Sequence, residues 1–333
     1  MIRVIQYGVG AIGREMVKLL LDRGFELIGA IDIDKEIVGK DLGEVVGRGR
    51  LGITVTADPR EALSRGAEVV LHSTSSRLEA VYPQIVKVLE AGSNLISTCE
   101  ELAYPYHRHP GLARRIDKLA VKHGVRVLGT GVNPGFIMDL LPLVLTGVCR
   151  EVRRLEITRS VDAGSRRRPL QEKIGVGLTP EEFQERVARG GGHVGLVESI
   201  AMIGAGLSWE LEEIEETIEP VIADSPEESE FFKVGRGEVL GLRQHGYGIR
   251  DGERAITLNL EMFLSAEDYD RIRIEGSPTV ELLIEGGVHG DIATSAVAVN
   301  SIPRVLSAPP GLRTMWELPP PTPTPAAMAA VHR

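Results

Sequence analysis

An open, doubly wound parallel α/β sheet followed by a second, α+β domain is the fold class that this 333-residue sequence predicts. Three observations predict it. The apolar run Val4-Ile5-Gln6-Tyr7 leads into Gly8-Val9-Gly10-Ala11-Ile12-Gly13, which is a strand, then glycines at G-x-G-x-x-G spacing, then a helix start. Short apolar segments then alternate with helical ones to about residue 140. Near residue 150 the rhythm changes to longer segments with one wet face.

The first domain, residues 1–140, reads in order as follows. Residues 14–23 carry apolar positions at helical spacing and end at Gly24. Leu27–Ile31 is a second strand ending in Asp32, 19 residues after Gly13. Residues 33–51 read as a glycine-rich loop and 53–56 as a short strand. Asp58-Pro59-Arg60-Glu61 opens a helix with an N-cap and a proline in its first turn. Glu68–Ser73 is a strand, Leu78–Ala91 a helix, Asn94–Thr98 a strand, His109–His123 a helix and Val125–Gly129 a sixth strand.

The second domain spans residues 141–290. Val152–Val161 alternates as a strand, the arginine-rich loop Ser165–Pro169 follows, and Thr179-Pro180-Glu181-Glu182 opens a helix. Residues 194–207 read as another helix. Residues 210–223, 233–248, 255–263, 270–275 and 280–284 read as strands of an antiparallel sheet. A helix within residues 291–315 returns to the first domain, and residues 319–333 form a Pro-rich, loosely ordered tail.

Apolar content of 43% and charged content of 26% are those of a globular protein with ample core. A net charge of −9 disfavours nucleic acid as a partner. Two cysteines, Cys99 and Cys149, supply neither a disulfide framework nor a C-x-x-C metal site, and no other ligand spacing suggests a metal. With no signal peptide or bilayer-spanning run, the expected place is the cytoplasm, away from membranes.

Ligands of an open α/β sheet bind outside the carboxyl ends of the strands, which selects four stretches. Residues 8–13 (Gly8, Val9, Gly10, Ala11, Ile12, Gly13) and Asp32 are the grip on a dinucleotide, phosphates on the helix N-terminus and ribose on the carboxylate. The cofactor is NAD or NADP, and Asp32 favours NAD because an acid repels a 2′-phosphate. Ser73, Thr74 and Ser75 are placed either to touch that cofactor or to cap the next helix. Glu100 and Glu101 are adjacent carboxylates at a strand end, where one can hold an ammonium or move a proton. Asn133-Pro134-Gly135 is a backbone device beside the nicotinamide, or an ordinary turn. In the second domain Arg159 and Arg168 are candidates for a substrate carboxylate, against the reading of a solvated basic loop. His193, after three glycines, is either a pocket group or a helix cap.

Three stretches carry a family resemblance. They are Gly129-Thr130-Gly131-Val132-Asn133-Pro134-Gly135-Phe136-Ile137-Met138-Asp139, Ser97-Thr98-Cys99-Glu100-Glu101-Leu102, and Arg168–Leu178. They resemble the 2,4-diaminopentanoate dehydrogenases and related native amine dehydrogenases, and the similarity runs from residue 1 to about 315. The resemblance implies a dihydrodipicolinate reductase-like fold, whose second domain forms the substrate lid and homodimer contacts. It implies NAD(P)-dependent oxidative deamination of an amine such as 2,4-diaminopentanoate, or reductive amination of a ketone with ammonia. It also implies a catalytic glutamate at Glu100 or Glu101. Glu101 is preferred because it aligns with the lysine of a Glu-Lys-Pro run in related oxidoreductases. In that reading Glu101 handles the protons, and replacing it with Gln abolishes turnover while sparing cofactor binding. Cys99 and Pro134 then flank the cofactor, and Phe136 flanks the substrate. Two alternatives stay open: another reductase of this fold acting on an imine or amino acid, and a cofactor-binding protein without catalysis. The His-His…Lys run of dihydrodipicolinate reductases is not found here.

Overall fold

The structure, a computed structural model, describes residues 1–188 and 192–325. Part of the glycine run expected before His193, and the tail beyond residue 325, lie outside the described residues. The chain divides into two compact units, Met1–Phe136 with His289–Arg333, and Ile137–Val288.

The first unit contains β1 (Arg3–Tyr7), α1 (Ala11–Asp22), β2 (Glu26–Ile31), α2 (Leu42–Val45), β3 (Val55–Thr56), α3 (Pro59–Leu63), β4 (Val69–His72), α4 (Leu78–Glu90), β5 (Asn94–Ser97), α5 (Pro110–His123) and β6 (Arg126–Gly129). A single 3₁₀ turn, Glu100–Leu102, follows β5. The strands are short and almost wholly buried because helices cover both faces of the sheet. Each helix turns an apolar stripe inward, as α4 does with Leu78, Val81, Ile85, Val88 and Leu89. The expected caps form: the Asp58 carboxylate accepts the Arg60 N–H at the start of α3.

The second unit holds α6 (Leu140–Thr146), β7 (Glu151–Asp162), α7 (Arg168–Lys173), α8 (Pro180–Arg186), α9 (Leu196–Gly206), β8 (Glu213–Ile222), β9 (Glu227–Glu228), β10 (Lys233–Val234), β11 (Val239–Arg250), β12 (Glu253–Phe263), β13 (Tyr269–Ser277) and β14 (Val280–Glu285). Its main sheet has the order β14-β13-β7-β12-β11-β8. The expected antiparallel sheet is in fact mixed, since β12 runs parallel to β7 from Ile256↔Leu155 to Phe263↔Asp162. The expected strand 233–248 is divided in two: β10 pairs with β9 in a separate small ribbon, and β11 joins the main sheet.

The returning segment departs from one helix. It is α10 (Gly290–Asn300), α11 (Ile302–Ser307) and β15 (Gly311–Arg313). The break falls at Ser301, two residues before Pro303, which is tolerated only in the first turn of a new helix. β15 pairs parallel with β6 and makes the first sheet seven-stranded, in the order β15-β6-β5-β4-β1-β2-β3. Strand order reverses at β1, between β2 and β4, so a crevice opens at the carboxyl end of β1.

Candidate active site

The glycine turn after β1 is built for a close neighbour. Gly8 has φ +91°, and a Cβ there would lie 2.4 Å from the Ser73 carbonyl oxygen. Gly10 is different. Its Cβ side meets nothing within 4 Å, and it precedes a helix with no side-chain cap. Gly10 and Ala11 are exposed, Ile12 is half-buried, and Gly13 is packed against the Gly8 carbonyl. An uncapped helix start facing open space suits a diphosphate. Val9 is buried and donates its N–H to Asp32 Oδ2 at 2.5 Å, while Asp32 Oδ1 accepts the Asp34 N–H at 2.9 Å. Asp32 therefore braces the turn and remains half-buried at the end of β2, where a ribose would reach it. The residues fit a dinucleotide.

The loop after β4 is partly structural. Ser73 Oγ donates to the Gly8 carbonyl, as does Gln6 Nε2, so Ser73 holds the glycine turn in shape. Thr74 Oγ1 donates to Gln84 Oε1, and Ser75 Oγ accepts the Arg77 N–H just before α4. Ser75 thus braces the turn ahead of α4, whose N-cap residue Arg77 makes no side-chain capping bond. His72, at the end of β4, is fully buried; Nε2 lies 2.6 Å from Gln84 Oε1 and Nδ1 2.8 Å from Ser97 Oγ. Burial pushes its pKa down to about 4, so the ring is neutral near pH 7. Cys99 offers no side chain to a cofactor. It is a core residue whose thiol points at the Ser76 carbonyl, and burial pushes its pKa up.

The two glutamates differ sharply. Glu101 is 4% exposed. Its Oε1 accepts Arg77 Nη1 at 2.8 Å, and its Oε2 accepts the Leu78 N–H at 2.8 Å and faces His109 Nε2 at 3.0 Å. Burial alone would raise its pKa. The Arg77 hydrogen bond, the Leu78 N–H and the charges of His109 and Arg77 outweigh burial and hold the carboxyl below the usual range. Glu100 is half-buried on the same 3₁₀ turn. Arg77 and His109, which complete this cluster, were missed at the level of sequence. The available signals were a cation just ahead of α4 and a histidine at the N-cap of α5.

At the end of β6, Asn133 is buried and its bond to Pro134 is cis. Gly135 has φ +126°, and a Cβ there would strike Gly131 N at 2.4 Å. Its glycine is required by its own loop. Phe136 is half-buried at the last position of this unit's first segment.

In the second unit Arg159 corrects an expectation. It is not a basic residue awaiting a substrate: it is 4% exposed, donating from Nη1 to Asp270 Oδ1 at 2.6 Å and from Nη2 to the Val288 carbonyl at 2.6 Å. Arg168 is exposed at the first position of α7 and pairs with Glu172 at 2.8 Å. His193 is half-buried. Its backbone N–H and carbonyl are both held by the buried Gln244 side chain at 2.8 Å. Gln171, also buried, donates to the Gly164 and Arg166 carbonyls and so pins the arginine loop. Neither glutamine was singled out from sequence, because a lone Gln carries no spacing signal. Leu196 and Ile137 are core residues.

With this geometry in view, the comparisons with known proteins decide the family. Residues 136–333 match the profile of the 2,4-diaminopentanoate dehydrogenase C-terminal domain, and residues 2–99 that of the dihydrodipicolinate reductase N-terminus. The chain belongs to the 2,4-diaminopentanoate dehydrogenase family. It is 37% identical to the 2,4-diaminopentanoate dehydrogenase of Acetoanaerobium sticklandii, over 96% of this chain and 94% of that one. It is 23% identical to the amine dehydrogenase of Streptomyces virginiae, over 92% and 91% of the two chains. The solved amine dehydrogenase of Mycobacterium smegmatis is similar with a TM-score of 0.86, at 27% identity and covering 97% and 98% of the chains. As a member of this dehydrogenase family the chain is an oxidoreductase, with a dihydrodipicolinate reductase-like fold.

Proposed function

We propose that this protein is a nicotinamide-dependent amine dehydrogenase whose carboxylates, Glu100 and Glu101, serve the nitrogen-bearing carbon of the substrate. One observation carries the reading. A single loop, the one after β4, touches both the dinucleotide cradle and the glutamate turn: Ser73 Oγ donates to the Gly8 carbonyl, and the Ser76 carbonyl accepts the Glu101 N–H at 3.3 Å. Phosphate grip and carboxylates therefore share one edge of one sheet. Family membership supports the reaction class.

The bound nicotinamide supplies the hydride acceptor. The chain supplies the rest. Glu101 is held ionised by Arg77, Leu78 N–H and His109, so it is a fixed negative charge and a poor proton donor near neutral pH. It favours a cationic amine and the iminium that follows loss of hydride. Proton transfer falls to Glu100, which is less buried. Glu100 takes a proton from the substrate ammonium, hydride leaves the adjacent carbon, and water adds to the iminium. Glu100 then gives its proton to the amine nitrogen, which departs as ammonia, while the two protons of the added water pass to solvent as the ketone forms. This revises the expectation that Glu101 itself moves the protons. The same steps reversed are reductive amination.

The substrate is an amine such as 2,4-diaminopentanoate. With Arg159 committed to Asp270, Arg168 and His193 are the remaining candidates for a substrate carboxylate. Asp32, with exposed Asp34 nearby, favours NAD over NADP. A panel of amines, with and without a carboxylate, assayed with each cofactor tests the reading. Reduction of NAD that depends on an amine is the expected result. Reduction driven only by non-amine alcohols or by cyclic imines would move the chain to another reductase class.

A further inference from the structure

We infer that His109 is a positioning residue for this reaction, acting through Glu101. The inference rests on the reading of Glu100 and Glu101 above. His109 is the residue immediately before α5, and its imidazole is 18% exposed beside a Glu101 side chain that is 5% exposed. Its backbone N–H returns to the Pro105 carbonyl at 2.9 Å, so the loop between the two residues closes on itself and aims the ring at the carboxylate.

The three donors on Glu101 are not equivalent. Leu78 N–H is fixed by α4, but its single direction leaves the carboxylate free to pivot about it. Arg77 reaches the other oxygen, yet its side chain is 48% exposed, so water competes for its guanidinium. His109 meets Oε2, the same oxygen as Leu78, from a separate segment of chain at 3.0 Å and from a largely buried site. A carboxylate held from two directions on one oxygen and a third on the other has one orientation. Glu100 shares its 3₁₀ turn, so what orients Glu101 also orients Glu100. His109 touches no reacting atom in this scheme. It sets where both carboxylates stand.

The test uses the full-length chain with His109→Ala and His109→Gln, the latter keeping an N–H able to reach Oε2. Four readouts are followed: kcat and KM for an amine found active in the wild type, the Kd for NAD, thermal midpoint, and the titration of Glu101 by ¹³C-carboxyl NMR. In His109→Ala, kcat is expected to fall about tenfold to a hundredfold with cofactor Kd within about twofold, and His109→Gln to recover to within about threefold. The Glu101 titration midpoint should rise in the alanine variant. Wild-type kcat in His109→Ala would overturn the inference. So would equal losses in the two variants, or an unmoved Glu101 midpoint. If the wild type reduces no cofactor with any amine, the proposed function fails, and the NMR titration still decides the contact between His109 and Glu101.

Discussion

Glu101 Oε2 accepts the Leu78 N–H at 2.8 Å, so a carboxylate placed after β5 closes the first turn of the helix that follows β4. Adjacent strand ends are thereby tied at the edge where a dinucleotide fold meets its ligands. Glu101→Ala removes a helix cap and leaves the His109 and Arg77 donors without it. A loss of about 2–3 kcal/mol in unfolding free energy is expected, measured by urea titration, together with loss of turnover. Glu100→Gln should lose turnover with unfolding free energy within about 0.5 kcal/mol of wild type.

Acid should weaken the fold in two stages. His72 titrates near 6.5 when unfolded but at about 4 in the fold, because burial keeps it neutral. The unfolded chain binds its proton first, so stability is full above about pH 6.5 and falls toward pH 4, by about 3 kcal/mol from this group. Glu101 is held below its usual range, so its contribution persists above about pH 4.3 and is lost only as pH drops further. Urea unfolding between pH 7 and pH 4 should show the first slope, and His72→Asn should flatten it.

The glycines of the first turn separate folding from binding. Gly8→Ala places a Cβ 2.4 Å from Ser73 O at φ +91° and should cost more than about 2 kcal/mol of stability. Gly10→Ala meets no protein atom within 4 Å, so the cofactor-free midpoint should hold. Its NAD affinity should fall by about tenfold or more, because the added methyl stands where phosphate would approach. Calorimetric titration alongside thermal melts distinguishes the two.

Arg159→Met strands the Asp270 carboxylate in the second unit, where burial already pushes its pKa up against the opposing charge of Arg159. The expected cost is about 3–5 kcal/mol of stability. KM should not change selectively for carboxylate-bearing amines. A selective rise in that KM, with an unchanged unfolding curve, would return Arg159 to the substrate.

What was legible in the sequence was local. Gly8, Gly10, Gly13 and Asp32 announce themselves because their spacing is set by one strand, one turn and one helix. Asp58 and Thr179 cap their helices as read, since capping spans three residues. Contacts made across the fold were illegible. The Arg77–Glu101 pair joins residues 24 apart, and Arg159 is buried only because Asp270, 111 positions away, lies beside it on β13. In sequence, Arg159 looks like one more cation on a wet strand face. β15 has three residues, too few to show a period, and the parallel pairing of β12 with β7 depends on topology rather than on either strand's pattern. Both glutamates were found at the strand end, but the partners that hold Glu101, at Arg77, Leu78 and His109, lie on other elements.

In the proposed reaction hydride leaves a carbon bearing nitrogen. Supplying NAD and an amine deuterated at that carbon, then weighing the reduced cofactor by mass spectrometry, reads where the hydride comes from. One deuterium in the reduced nicotinamide is expected, with a deuterium-free ketone and ammonia released in equal amount. Reduced cofactor without deuterium, or cofactor that binds yet is not reduced by any amine of the panel, would contradict the proposed reaction.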